Sequence, residues 1–323
     1  MRRPGHVLLC SDDNGFPQLK VAVYSLLKTA DAARPLRVSV FTGNGALTGG
    51  HRAELRALAA RYPFANLEII DVDELLERHR AAFECPSSPW GIMIWARCFI
   101  GEVFPDGDGN VVYLDIDTLV CRDLAELYDL EMGGNAIAGV YEDAREDGKN
   151  PRFWNGPLMP PEANRYFNSG VLVLNLGVFR RERILERLAA WYAQNKAIAE
   201  RPDQDALNAV FWNRTVRLHP AYNYSDGWCE RQLRYSKRRP QWRGNPPREM
   251  LEAIVSPAVI HFWGRSKPWR WNHRAEGWRY AQAMRELGLC EGALPGTTAW
   301  GRVVAAAYGA GHVLLRRVAK WRM

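Results

Sequence analysis

Apolar and polar positions along the first half of the chain switch repeatedly between two periods. His6–Cys10 is an apolar run of strand length, and Pro17–Thr29 repeats Leu19, Val23, Leu26 and Leu27 at helical spacing. Leu36–Phe41 alternates as a strand, His51–Arg61 reads as a helix, and Leu67–Ile70 is a third strand. Helices over Asp73–Arg80 and Ile92–Val103 follow, then strands at Val111–Leu114 and Ala136–Tyr141. Strands separated by helices of this length predict an α/β fold with a mostly parallel, doubly wound sheet. Ligands in such sheets sit in the crevice beyond the strand C-termini. Further along, Gly170–Leu176 and Val259–Trp263 read as strands, with an amphipathic helix over Val178–Asn195 between them. Another helix is expected over Gln204–Phe211, with Asp203 as its N-cap. Residues 142–167 break the pattern, because Gly148, Pro151, Gly156, Pro157, Pro160 and Pro161 interleave with Phe153 and Trp154. That composition predicts a long ordered loop over a site.

Length and charge narrow the picture only at the ends. A chain of 323 residues can bury one large core. The net charge of +7 is uneven: after Glu291 no acidic residue occurs, while Arg302, Arg316, Arg317, Lys320 and Arg322 do. A basic tail on a near-neutral body is not the basic stripe of a nucleic-acid binder, so no nucleic-acid partner is expected. The expected division is one domain over 1–290 and a tail over 291–323. Wound as a helix, the tail puts Trp300, Val303, Val304, Tyr308, Leu314, Leu315, Val318 and Trp321 on one face and its basic residues on the other. Residues 300–323 are therefore expected to bind an anionic membrane surface. The plain alternative is a C-terminal helix packed on the body, and Gly301, Gly309 and Gly311 weaken either helix in water. The six cysteines show no CxxC or zinc spacing, which favours a reducing cytoplasm. The apolar run after the N-terminus is too short for a signal peptide, and no stretch of about 18 apolar residues predicts a membrane span. The expected location is cytoplasmic, peripheral on the inner face of the membrane.

Candidate chemistry starts at Val111-Val112-Tyr113-Leu114-Asp115-Ile116-Asp117, an apolar strand ending on two carboxylates. Alternation along an extended chain would point Asp115 and Asp117 to one side. Such a pair suits Mg²⁺ or Mn²⁺ holding a diphosphate. With Thr118-Leu119 it also fits an aspartyl-nucleophile phosphatase, although that pattern belongs in the first strand of its domain and no later Gly-Asp-x-x-x-Asp occurs. Tyr166–Asn175 carries Asn168-Ser169-Gly170, either a plain turn or a close approach to a sugar. Asp203 and Gln204 project from a helix start. His261 at a strand end is a candidate third metal ligand that tilts the site toward Mn²⁺, and Gly264 with Lys267 can grip a diphosphate. Taken singly, a lone His or Lys is more often structural or solvated.

The set Ser11-Asp12-Asp13-Asn14, Asp115-Ile116-Asp117, Tyr166–Asn175, Asp203-Gln204-Asp205 and His261–Trp269 resembles glycosyltransferase family 8 over roughly residues 6–285. That family comprises retaining, metal-dependent sugar transferases of the GT-A fold, and the pattern is most similar to bacterial lipopolysaccharide galactosyl- and glucosyltransferases. The resemblance implies a UDP-hexose donor, galactose or glucose, and a glycan or glycolipid acceptor. It implies that Asp12, Asp13 and Asn14 hold the nucleoside end, that Asp115, Asp117 and His261 hold Mn²⁺ (or Mg²⁺), and that Ile116 sits among the donor contacts. Gly264 and Lys267 would meet the diphosphate, Arg97 the donor sugar or phosphate, and Asp143, Asn168, Asp203 and Gln204 the sugar. Gln204 would stand where a double displacement needs a nucleophile, and a same-face route remains open beside it. Ser88-Pro89-Trp90-Gly91-Ile92-Met93 and the Pro-rich 151–161 loop depart from the family pattern, which leaves sugar and acceptor undefined. A sugar-nucleotide binding module without activity is the other reading.

Overall fold

The computed structural model describes residues 3–85, 91–143, 166–225, 228–229, 245–264, 267–269 and 276–289. The 151–161 loop, Ser88–Trp90 and the 291–323 tail lie outside the described residues. Nine strands are described: β1 (Gly5–Cys10), β2 (Leu36–Thr42), β3 (Ala65–Asp71), β4 (Asn110–Leu114), β5 (Thr118–Val120), β6 (Ile137–Asp143), β7 (Tyr166–Asn175), β8 (Thr215–Arg217) and β9 (Val259–His261). Seven form one sheet in the order β3-β2-β1-β4-β7-β6-β8, and β5 pairs with β9 in a small second sheet. β3, β2, β1 and β4 run parallel, as do β6 and β8, whereas β7 is antiparallel to both β4 and β6.

The sheet is doubly wound, and its side chains show it residue by residue. Val7, Leu9, Val112, Leu114, Val171 and Val173 enter one buried layer, while Leu8, Val111, Tyr113, Leu172 and Leu174 enter the opposite one. Alternation along each strand thus supplies two cores at once. Helices Phe16–Thr29, Pro247–Val255 and Gly277–Glu286 cover the first face; Asp73–Phe83, Ile184–Asn195 and Pro202–Phe211 cover the second. The chain leaves β1 toward β2 on one side and returns to place β4 on the other. The order therefore reverses between β1 and β4, and a crevice opens at their C-terminal ends. Asp12 and Asp115 flank it.

Four expectations need correction. The Ile92–Val103 segment is a tight 3-10 helix over Gly91–Phe99 and a single α turn over Ile100–Val103. Its residues are buried on nearly every side, so packing rather than amphipathic spacing sets its winding. The Val178–Asn195 helix is two helices, Leu176–Arg181 and Ile184–Asn195, parted where Arg183 takes a left-handed φ of 49°. The N-cap before Gln204 is Arg201, not Asp203: the helix is Pro202–Phe211, and Asp205 reaches back 3.0 Å to the Arg201 N–H. Asn168-Ser169-Gly170 is strand, not a turn. Among the described residues no helix is long and apolar enough to cross a membrane.

A polar chain at the far end of the sheet gives a pH test of the fold. His6 lies 2.8 Å from the Ser39 hydroxyl, and Ser39 and Arg37 both bond Glu68. Burial first, then the nearby Arg37, push the His6 pKa down to about 4. Between that value and the unfolded value near 6.5 the unfolded chain binds more protons, so stability rises with pH across this window. Urea unfolding at pH 7 and pH 4.5 should show His6→Gln losing about 2 kcal/mol less on acidification than the wild type. Equal losses would show that His6 is not held neutral.

Candidate active site

β4 ends at Leu114, and there the backbone turns. The Asp115 N–H donates to the Gly170 carbonyl at 2.8 Å, while the Thr118 N–H and hydroxyl both return to the Asp115 carbonyl at 3.2 and 2.7 Å. The two carboxylates converge through this turn, not through the strand alternation read from the sequence. β5 follows at once and pairs antiparallel with β9, setting Thr118 opposite His261. The Phe262 N–H closes the register on the Asp117 carbonyl at 2.9 Å. A histidine 144 residues downstream of Asp117 is thereby placed against it.

Ligand atoms of Asp115, Asp117 and His261 all lie within 4.8 Å of one another. His261 Nε2 is 3.0 Å from Asp117 Oδ1 and 3.6 Å from Asp115 Oδ2. The imidazole lies against Gly170 so closely that a Cβ there would sit 2.0 Å from Cε1. Its Nδ1 is 2.9 Å from Asn223 Oδ1. Burial pushes the Asp117 carboxyl up, but His261 and then Lys267 overcome it and hold the group well below the usual carboxylate range. Two hard carboxylate oxygens and one imidazole nitrogen converging on a point suit a divalent cation of the Mn²⁺ or Mg²⁺ type. Lys267 bonds Asp117 and, at 2.9 Å, the Phe262 carbonyl. Gly264 has φ of 80°, and among the described residues no atom lies within 4 Å of where a Cβ would be, so its backbone is open to close approach on that side.

Behind the carboxylate turn lies Arg97, only 6% exposed. Its guanidinium donates to the Ser169 carbonyl at 2.6 Å and stands 3.4 Å from both Asp115 Oδ1 and Asp203 Oδ2. It also stacks 4.1 Å over the Tyr113 ring. Asp203 has its pKa raised by burial, with Arg97 opposing. Gln204 is buried with its amide fully engaged. Oε1 accepts from the Ser169 N–H at 2.9 Å and its hydroxyl at 3.2 Å; Nε2 donates to Glu142 at 3.0 Å and Tyr166 at 2.9 Å. Asn168 Oδ1 accepts from the Gly170 N–H at 3.0 Å and from Asn223 at 2.9 Å.

The nucleoside-end candidates fall on the other flank of the crevice. Asp12 caps the short helix after β1, accepting from the Gly15 N–H at 2.9 Å, and the exposed Asn14 leans on it at 3.4 Å. Asp13 is committed to the next helix: it accepts from the Thr48 N–H at 2.8 Å and meets His51 Nδ1 at 2.6 Å. These bonds hold its carboxyl below the usual range. Ile116 packs against Gly15 and so joins the two flanks. Asp143 ends β6, paired with Tyr166. Reading the sequence missed Glu142, Arg201 and Asn223, and gave Tyr166 no role of its own within the Tyr166–Asn175 motif. Glu142 pairs with Arg201 at 2.8 Å and bonds Gln204, yet a carboxylate inside an apolar strand segment gives little local signal.

The family model for glycosyl transferase family 8 matches residues 6–273. The chain belongs to this family. As a glycosyltransferase of the GT-A fold, it shares 26% identity and a TM-score of 0.71 with a crystal structure of the galactosyltransferase LgtC in complex with donor and acceptor sugar analogs, over 87% of this chain and 95% of that one. General stress protein A of Bacillus subtilis is 27% identical over 83% of this chain and 88% of its own length. The lipopolysaccharide 1,3-galactosyltransferase of Salmonella typhimurium is 24% identical over 56% of this chain and 50% of its own. Membership in a sugar-transfer family removes the phosphatase reading of Asp115 and Asp117.

Two substitutions test the assembled geometry. Gly170→Ala must displace the His261 ring, and affinity for a divalent cation measured by calorimetry should fall at least about 10-fold, the low end for disturbing a ligand's support. Arg97→Leu leaves Asp115 and Asp203 facing each other without their cation. Urea unfolding should show a loss of about 3–5 kcal/mol; a loss below about 1 kcal/mol would show that the guanidinium does not hold the carboxylates together.

Proposed function

We propose that this glycosyltransferase is metal-dependent and retaining, moving a hexose, galactose or glucose, from a UDP-sugar to a glycan or glycolipid acceptor such as lipopolysaccharide. The observation that carries the reading is the convergence of Asp115, Asp117 and His261 at the C-terminal edge of the sheet, beside the β1–β4 crevice. Likeness to LgtC, crystallised with donor and acceptor sugar analogs, and to a lipopolysaccharide 1,3-galactosyltransferase supports the substrate class. Another LgtC structure carries an active-site Gln-to-Glu substitution, and Gln204 is the glutamine buried at the edge of this site.

In this reading Asp115, Asp117 and His261 hold Mn²⁺, or Mg²⁺, which when bound supplies positive charge for the departing diphosphate. Lys267, within reach of Asp117, supplies a second cation there, and the open backbone of Gly264 admits the diphosphate closely. Asp12 and Asn14 face the nucleoside end. Arg97 holds the carboxylate turn and Asp203 in register behind the sugar. The proposed location is the cytoplasmic face of the membrane, with residues 300–323 as a peripheral anchor on anionic lipid. An acceptor embedded in that leaflet gives the anchor a purpose.

A panel of UDP-sugars scored for Mn²⁺-dependent hydrolysis tests the reading without an acceptor. One UDP-hexose should be hydrolysed, chelator should stop it, and Asp117→Ala should lower the rate at least about 100-fold, the factor given by about 3 kcal/mol of lost charge stabilisation. Activity indifferent to chelator would sink the metal assignment, and inertness toward every UDP-sugar would favour a binding module.

A further inference from the structure

We propose that Asn223 is a positioning residue that pins a proton on His261 Nδ1, so that Nε2 presents its lone pair to the cation shared with Asp115 and Asp117. The inference rests on the metal reading above and follows from hydrogen-bond polarity. A backbone N–H can only donate, so the Gly170 N–H, 3.0 Å from Asn168, fixes that amide's oxygen on its side. The same oxygen stands 2.9 Å from Asn223, whose nearer atom must then be its NH₂. The opposite end of the Asn223 amide is therefore oxygen, and it lies 2.9 Å from His261 Nδ1. An amide oxygen only accepts, so Nδ1 carries the hydrogen. In the neutral imidazole, Nε2 is left as the ligating nitrogen, and Nε2 is the atom that faces Asp117 and Asp115.

The arrangement is built to resist reversal. Asn168, Asn223 and His261 are 6%, 4% and 3% exposed, so no bulk water offers an alternative partner. Asn223 is itself fixed by backbone. It closes the short helix Pro220–Asn223, after which the Tyr224 N–H donates to Val259 at 2.9 Å and the Tyr224 carbonyl accepts from the His261 N–H at 2.8 Å. The strand that carries the ligand thus also anchors the segment that carries its orienting amide. Turning the Asn223 amide over would set oxygen against oxygen at Asn168 and leave buried groups unpaired, each at a cost of about 1–3 kcal/mol.

Nitrogen-15 NMR of the histidine rings of the metal-free full-length protein at pH 8 reads the proton directly. The His261 signal is assigned by its loss in His261→Gln. Nδ1 should give a protonated-nitrogen shift; an unprotonated Nδ1 overturns the assignment. Mn²⁺ alone, titrated with free ion counted by electron paramagnetic resonance, should bind Asn223→Leu about 10- to 100-fold more weakly than wild type. Asn223→Asp keeps an oxygen toward Nδ1 while setting its other oxygen against Asn168, so it should recover part, not all, of that affinity. An equal loss in both variants would mean that Asn223 merely packs, against the proposal. Wild type that binds no Mn²⁺ would remove the metal reading, and this inference with it, whereas an unprotonated Nδ1 removes this inference alone.

Discussion

Everything at the site depends on holding several carboxylates at one edge of an apolar sandwich. Asp115 and Asp203 stand around a common point that two buried layers have stripped of much of its water. Like charges gathered in this way repel more strongly than they would in bulk water. Arg97 is the internal answer. It sits 3.4 Å from each, donates to the Ser169 carbonyl and stacks on Tyr113, so one guanidinium joins β4, β7 and the Pro202–Phe211 helix. A planar fork with several donors does this where a lysine's point charge would not. The tight 3-10 winding of Gly91–Phe99, packed on nearly every side, gives that side chain one place to go.

The reversed strand is the second constraint. Because β7 runs antiparallel to β4, its first residues, not its last, lie at the edge where β1 and β4 end. Asn168, Ser169 and Gly170 therefore reach the crevice from within a strand. Each does different work there: Ser169 accepts from Arg97 and donates to Gln204, Gly170 makes room for the His261 ring, and Asn168 orients Asn223. A parallel β7 would have carried these residues to the opposite end of the sheet.

Periodicity and strand-end chemistry made much of this legible in the sequence. The alternating strands and helices gave the α/β class, and Asp115, Asp117 and His261 were recognisable because each stands at the end of an apolar run. What stayed hidden has a physical reason. β5 and β8 are three residues each, too short to show a period, yet β5 pairing with β9 is what brings His261 to Asp117. Glu142 and Asn223 announce nothing locally, since their roles come from partners 62 and 38 residues away. The inferred Asp203 cap failed because Pro202 can occupy the first helical turn without a donor, which moves the helix start two residues back.

Gln204 shows how the surroundings of a residue limit its chemistry. The family resemblance invites for it the role of nucleophile on the far face of the sugar. Its oxygen already accepts two hydrogen bonds from Ser169, the normal capacity of an amide carbonyl, and both N–H groups are spent on Glu142 and Tyr166. Attack through that oxygen would break buried hydrogen bonds before any bond to carbon formed. Held this way, Gln204 does positional work: it locks the start of β7 to the Pro202–Phe211 helix and so keeps Ser169 beneath Arg97. For the retaining transfer from a UDP-sugar proposed above, a same-face route is then served more easily, in which the departing diphosphate takes the acceptor's proton and no side chain need become a nucleophile.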